Sequence, residues 1–255
     1  MGDPVRPALN GAVLTLWLDR PHVRNAIDLA LAEGLERRLV AVPTTVRVVV
    51  IRGVEGNFSV GGDFDEVARL REGGPEGLRP LFATFGRALS LIGELEVPVI
   101  AAVEGYAMAG GFELLQACDL ALVREDAVLA DNHANFGQVP GGGGSQRLPR
   151  LVGLPRALGH ILTGERISGA DAVAWGLAYR SASAERFEDE LGKLVTTLLA
   201  KDRRVLARAK QLARRGLEQP LATGLAAEID AVVEHLGEDV AGRGIEQFHA
   251  RRQTF

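Results

Sequence analysis

Cysteine is nearly absent: Cys118 stands alone among 255 residues. That excludes an intramolecular disulfide and leaves no CxxC or Cys/His spacing for zinc. Such sparing use of the thiol predicts a reducing, cytoplasmic setting. Aromatic residues make up only 5% of the chain, and no proline-rich, Gly/Ser-linker or prion-like tract occurs. Long hydrophobic runs are missing as well. The longest, Val97 to Phe112, is interrupted by Glu104 and by glycines and falls short of the ~18 residues that a bilayer span requires. Near the start, Ala12 to Leu18 covers only about seven residues, too short for the apolar core of a secretory signal. There is no excess of positive charge either. Lys and Arg number 29 against 33 Asp and Glu, a formal net charge of −4, so nothing global draws the protein to nucleic acid or to an anionic membrane.

What is present is apolar and patterned. A hydrophobic share of 47% is incompatible with disorder, and the length fits one large α/β domain or one domain with an appendage. Short β-branched runs recur at Val13 to Leu18, Val46 to Arg52, Val97 to Val103 and Leu120 to Val123. The nearly unbroken run at 46–51 reads as a strand covered on both faces. Between the first two lies a helical pattern, Ile27 to Val40, with Asn25 or Asp28 available as a cap. Strand, helix, strand in alternation predicts right-handed crossovers and a mainly parallel sheet. From about Leu154 onward strand-like runs disappear and helices are expected, the last being Arg203 to Arg215 and Leu221 to Leu236. The division is a core over 1–195 and a helical region over 196–255. Lys201 to Arg215 holds seven basic residues and one acid, and its apolar positions form a stripe, so it reads as an amphipathic helix with a solvated basic outer face. Glu66 to Arg79, with Gly73-Gly74-Pro75, reads as mobile and carries no informative pattern.

Glycine is the surplus: 31 residues, about 12% against a usual ~7%. Three clusters stand out, at Phe58 to Asp63, Gly105 to Glu113 and Val139 to Arg147. The first two each follow a strand and precede a helical pattern, where free backbone N–H groups and the helix dipole favour negative charge. Neither GxxxxGK[ST] nor a GxGxxG with its distant acid is present, which argues against ATP and NAD. The other use of such amides is to hold an oxyanion, and glycine lets a ligand approach bare backbone.

Seven stretches, in order, carry a resemblance. They are Arg20 to Ala26, Phe58 to Asp63, Pro98 to Ala107, Gly110 to Leu114, Ala117 to Asp119, Pro140 to Leu148 and Leu162 to Ser168. Together they resemble the crotonase superfamily, the enoyl-CoA hydratase/isomerase family, over nearly the whole chain. The resemblance implies an α/β fold with a ββα spiral core, a helical C-terminal region that contributes to oligomerisation and closes the CoA site, and a homotrimer or dimer of trimers. It places the oxyanion amides on Gly62 and Gly110, and CoA or substrate contacts on Arg24, Ala26, Val60, Gly62, Asp63, Phe64, Met108, Gly110 and Gly141. Phe248 to Arg252 resembles the family's closing segment, with Arg251 and Arg252 as candidates for the CoA phosphates. No metal and no redox cofactor are implied; CoA enters as part of an acyl-CoA thioester substrate.

Two positions decide the chemistry. Glu113, three residues after Gly110, falls on the first turn of a predicted helix, where an acid often only balances the dipole. The resemblance instead aligns it with one of the two glutamates by which hydratases move protons. The second glutamate should stand seven residues before Pro140, where this sequence has His133. Imidazole can act as acid or base near neutral pH, or it can simply fill the pocket wall. Asp131 is near in sequence, but in an extended segment the two residues share a face without sharing a location. His22, His160, His235 and His249 receive no role, Asp119 reads as a turn or salt-bridge residue, and Cys118 as core. The expectation is an enoyl-CoA hydratase-like lyase that adds water across a 2-enoyl-CoA. A double-bond isomerase, another thioester reaction of the family (decarboxylase, dehalogenase or hydrolase) and a non-catalytic acyl-CoA binding protein are the alternatives.

Overall fold

The structure, a computed structural model, describes residues 2–238 together with Gly242, Glu246 and His249. Nine strands occur among the described residues: β1 (Val5–Asn10), β2 (Val13–Leu18), β3 (Val48–Gly53), β4 (Val99–Val103), β5 (Tyr106–Met108), β6 (Leu120–Arg124), β7 (Val128–Ala130), β8 (Ile167–Ser168) and β9 (Arg180–Ala182). The helices are α1 (Leu29–Val40), α2 (Phe64–Arg71), α3 (Gly74–Glu94), α4 (Gly110–Ala117), α5 (Gly144–Val152), α6 (Leu154–Thr163), α7 (Gly169–Ala174), α8 (Phe187–Leu199), α9 (Arg203–Gly216) and α10 (Leu221–Leu236). Asp28 caps α1 by accepting from the Leu31 N–H.

The main sheet has six strands in the order β1-β2-β3-β4-β6-β9, parallel except for the β1–β2 hairpin. Its centre explains why 48–51 is apolar at every position. Val49 and Ile51 belong to the large core that includes α1, α3 and α4 residues, while Val48 and Val50 face a smaller core with Phe187, Leu191 and Leu194 of α8. A second sheet of three strands, β5-β7-β8, is mixed.

The chain moves between the sheets in repeated ββα turns. After β4 it bends at Gly105 (φ +59°), where a Cβ would come within 2.2 Å of the Gly56 carbonyl oxygen, and enters β5 and then α4. After β6 it enters β7 and then a short 3₁₀ turn, His133–Phe136. The segment after β3 makes the same move more briefly, with Ser59 pairing in parallel with Ala107 before α2 begins. Each turn therefore ends where a chain leaving the second sheet starts a helix.

The structure and the reading of the residues differ at three places. Strand structure does not end at Leu154: β8 and β9 follow, each too short to show a period of two. Strand β1 has only Val5 buried, so as an edge strand containing Pro7 it carries no alternating pattern. The segment at 66–79, which carried no informative pattern, forms most of α2 and the start of α3. Leu81, Phe85, Ala88, Leu89 and Ile92 of α3 line up on one buried face.

The basic face of α9 is not simply solvated. Lys210 is buried and donates to the carbonyls of Ile92 (2.8 Å) and Val97 (3.0 Å), and its ammonium lies 2.8 Å from Asp119. Arg214 pairs with the other Asp119 oxygen at 2.7 Å and donates to Ala117 O. Asp119 also accepts from the Val99 N–H at 2.8 Å. One carboxylate thus ties α9 to the start of β4, and burial lowers the Lys210 pKa despite that partner. The apolar positions of α10 point outward instead: Leu221, Ile229 and Val233 are each more than 60% exposed. No helix is long and apolar enough to cross a membrane among the described residues.

Removing the carboxylate leaves a buried ammonium without its counter-charge. Asp119→Ala is expected to destabilise the protein by about 3 kcal/mol, measured as a lower urea midpoint with an unchanged slope. An unchanged midpoint would show that the cluster does not anchor α9.

Candidate active site

Helix α4 is buried along its whole length, which places Glu113 at 2% exposure among apolar neighbours. A carboxylate in that position needs hydrogen-bond donors. They come from the third glycine cluster. Glu113 Oε1 accepts from the N–H of Gly142 at 2.8 Å and of Gly144 at 2.7 Å. A Cβ at Gly142 would stand 2.8 Å from Glu113 Oε2 and 2.7 Å from the Phe85 ring, and one at Gly144 would stand 3.0 Å from Asp131 Oδ2. These glycines are required by the close approach of a side chain. Arg147 Nη1 donates to the Gly142 carbonyl at 2.5 Å and holds the loop from behind.

His133 opens the 3₁₀ turn after β7 and is 8% exposed. Its Nδ1 lies 2.6 Å from Asp131 Oδ1, and its Nε2 lies 3.9 Å from Glu113 Oε2. The segment is not extended here, so the expectation that Asp131 and His133 stay apart is overturned: the turn folds the ring back onto the carboxylate. Burial opposes a charge on His133, but the bond and charge of Asp131, with the charge of Glu113, carry its pKa above the usual histidine value. Burial also raises the Glu113 pKa, against the two amides and the imidazole that favour its charged form. His160, which no motif singles out, accepts the Asp131 N–H through Nε2 at 3.0 Å and packs between Phe112 and Trp175.

Gly62 and Gly110 are brought together. A Cβ built on Gly110 would lie 3.7 Å from the Gly62 nitrogen, and neither N–H has a turn, loop or cap partner among the described residues. Gly110 follows Ala109, whose φ of +46° is rare for a residue with a side chain; the Ala109 N–H donates to Ala130 O at 2.9 Å. The strained residue is thus clamped to the end of β7 while the next amide faces the cavity.

Two adjoining hollows meet at Gly62. One, of about 350 Å³, is lined by Ile27, Val67, Leu81, Phe82, Phe85 and Phe136, with Gly110, Glu113, His133 and Gly141 on its wall. The other, of about 420 Å³, is an open groove lined by Arg24, Ala26, Asp63, Tyr106, Met108 and Arg166. Val60, Gly62 and Phe64 border both. Arg24 (φ +49°) sets its guanidinium 5.6 Å from the Tyr106 ring centre. The Asp63 side chain is already engaged, capping α2 and bonding Arg20 at 2.9 Å, and its main chain is paired as well, the N–H donating to Ile27 O and the carbonyl accepting from the Val67 N–H, both at 2.9 Å. Phe248, Arg251 and Arg252 lie outside the described residues. Of the α2 and α3 residues of the apolar hollow, Phe64 is one the resemblance names, whereas Leu81, Phe82 and Phe85 were missed by sequence reasoning, although with Leu78 they carry a helical period.

A sequence model described as enoyl-CoA hydratase/isomerase matches residues 8–255. The chain belongs to this family. Carnitinyl-CoA dehydratase of Salmonella paratyphi A is 34% identical, over 92% of this chain and 89% of its own. Among solved structures, an enoyl-CoA hydratase from Polaromonas sp. JS666 superposes with a TM-score of 0.93 at 30% identity, covering 97% of both chains. A Thermobifida fusca protein in complex with acetoacetyl-CoA superposes at 0.84 with 28% identity, over 92% of this chain and 95% of its own. The α/β enoyl-CoA hydratase/isomerase fold, with mixed sheets and C-terminal helices, is therefore the fold of this chain.

Because burial raises the Glu113 pKa, the side chain stabilises the fold below the usual carboxylate range, and that contribution is lost as pH rises through the raised value. Glu113→Gln keeps an acceptor oxygen for the two amides and carries no charge. It is expected to melt at or above the wild-type temperature at pH 8, with the difference shrinking toward pH 4. A lower melting temperature at pH 8 would contradict this sign.

Proposed function

We propose that the protein is an enoyl-CoA hydratase-like lyase that adds water across the double bond of a 2-enoyl-CoA. One observation carries this reading: two titratable groups, Glu113 Oε2 and His133 Nε2, face each other at 3.9 Å beside two glycine amides that have no turn, loop or cap partner among the described residues. Atoms that far apart can both reach one water at about 2.8 Å.

The shape supports a bound thioester. An acyl chain in the apolar hollow and a polar CoA in the groove bring the thioester carbonyl to their junction, beside Gly62 and Gly110. Attack of the held water forms a C–O bond at Cβ and pushes the double-bond pair toward the carbonyl. The resulting enolate oxygen accepts from the two amides, a contribution worth ~10²- to 10³-fold per donor. The proton lost by water passes to the Glu113–His133 pair and one from the pair goes to Cα, so the pair ends as it began. Since Oε1 is held by Gly142 and Gly144, Oε2 is the oxygen that exchanges the proton.

A double-bond isomerase is the second reading. It is favoured by Glu113 being the single carboxylate lining the apolar hollow among the described residues, because moving one proton from Cα to Cγ needs one base. The outward apolar face of α10 supports assembly with further copies of this chain, as trimers or paired trimers.

With crotonyl-CoA, loss of the conjugated-enone absorbance is expected, with 3-hydroxybutyryl-CoA as product. Glu113→Gln should lower kcat by at least about 10²-fold with little change in CoA affinity by calorimetry. Turnover no faster than in that variant would refute the hydratase reading, and conversion of a 3-enoyl-CoA to the 2-enoyl isomer without hydration would establish the isomerase. Sedimentation should give three or six times the 27.2 kDa protomer mass; a monomer would refute the assembly.

A further inference from the structure

We propose that Asp131 is a positioning residue for His133: its carboxylate holds the Nδ1–H of the ring and so turns Nε2, in one tautomer, toward Glu113 and the cavity. This rests on the reading of the cavity as the reaction site, but it concerns the ring in the resting protein.

The geometry leaves the imidazole little choice. Asp131 is fully buried, and the Nδ1–Oδ1 distance of 2.6 Å is that of a short, charge-assisted bond. With Nδ1 so occupied, only Nε2 can present a lone pair or a proton to the cavity. The carboxylate is itself fixed, because its backbone N–H is bonded to His160 Nε2 on α6. The preceding residue, Ala130, accepts from Ala109 and so also sets the residue before the Gly110 amide. The end of β7 therefore aims the imidazole and one of the two free amides together.

A purely structural role accounts less well for the second oxygen. Asp131 Oδ2 is buried with no hydrogen-bond partner among the described residues, and such a group costs stability. An asparagine oxygen could accept the same Nδ1–H bond without placing a charge there. What only a carboxylate supplies is a negative charge behind the ring, which favours protonation at Nε2. The charged and titratable groups around His133 are Asp131 after β7, Glu113 on α4, His160 on α6 and, behind Glu113, Arg147 on α5. Among these Asp131 alone bonds the ring.

The test uses protein labelled with ¹⁵N in its histidine rings, without substrate, with His133 assigned by its loss in His133→Gln. In the wild type the ring should show a protonated Nδ1 at every pH and titrate at Nε2 above the usual histidine value. In Asp131→Asn that titration should fall by about one pH unit or more, and the single tautomer should become a mixture. Turnover of crotonyl-CoA should drop at least tenfold at unchanged KM. An identical titration and tautomer in the two proteins would overturn the proposal. So would a wild-type ring without a protonated Nδ1, a result that needs no folded variant. If the ring behaves as expected but the wild type turns over no enoyl-CoA, the positioning stands and the hydratase reading fails.

Discussion

A buried carboxylate needs donors, and here Glu113 takes two from the backbone. With both amides of Gly142 and Gly144 spent on Oε1, the side chain has one oxygen held and one free, and that asymmetry fixes which atom faces the cavity. The same contact explains why the loop before α5 is glycine at these positions, since a Cβ would reach the carboxylate or the Phe85 ring. It also explains why α4 tolerates an acid in a helix that is otherwise wholly buried. Strip the two amides away and the group would either lose its charge or leave the core.

The fold delivers the remaining parts through its repeated passage between two sheets. Each turn leaves the main sheet, adds a short strand to the second sheet, and starts a helix at the cavity. Gly62 and Gly110 lie at two of these helix starts, where backbone N–H groups lack partners by the geometry of a helix end. His133 and Asp131 lie at the third, where the chain coils briefly before α5. The oxyanion amides and the titratable side chains are therefore successive outcomes of one repeated structural step. At the other end of the sheet, Asp119 uses the same logic with opposite partners: one carboxylate gathers Lys210, Arg214 and the Val99 amide and fastens the C-terminal helices to the strands.

The candidate site was partly legible in the residues. The central strands could be read because a parallel strand covered on both faces is apolar at every position, as at 48–51. Gly62, Gly110 and Glu113 could be singled out because strand, glycine and helix follow one another closely. The third glycine cluster was visible but its use was not: its amides serve Glu113, a partner 29 and 31 residues away in sequence. Edge strand β1 and the short β8 and β9 left no pattern, since a strand exposed on most positions or only two or three residues long has no period to show.

By itself the sequence determined the α/β alternation, the family to which the chain belongs, the lone acid on α4, and the imidazole standing where the family pattern expects a carboxylate. These are properties of composition and local order, fixed by spacing along the chain. Only the tertiary structure decided what those groups do to one another. It brought Asp131 to 2.6 Å from His133 by a turn that no periodicity announces. It set His160, 29 residues on, against the Asp131 amide. It also turned Lys210 and Arg214 of a basic helix inward to meet Asp119. Contacts between residues distant in sequence depend on how the sheets stack, and that is settled only when the chain closes on itself.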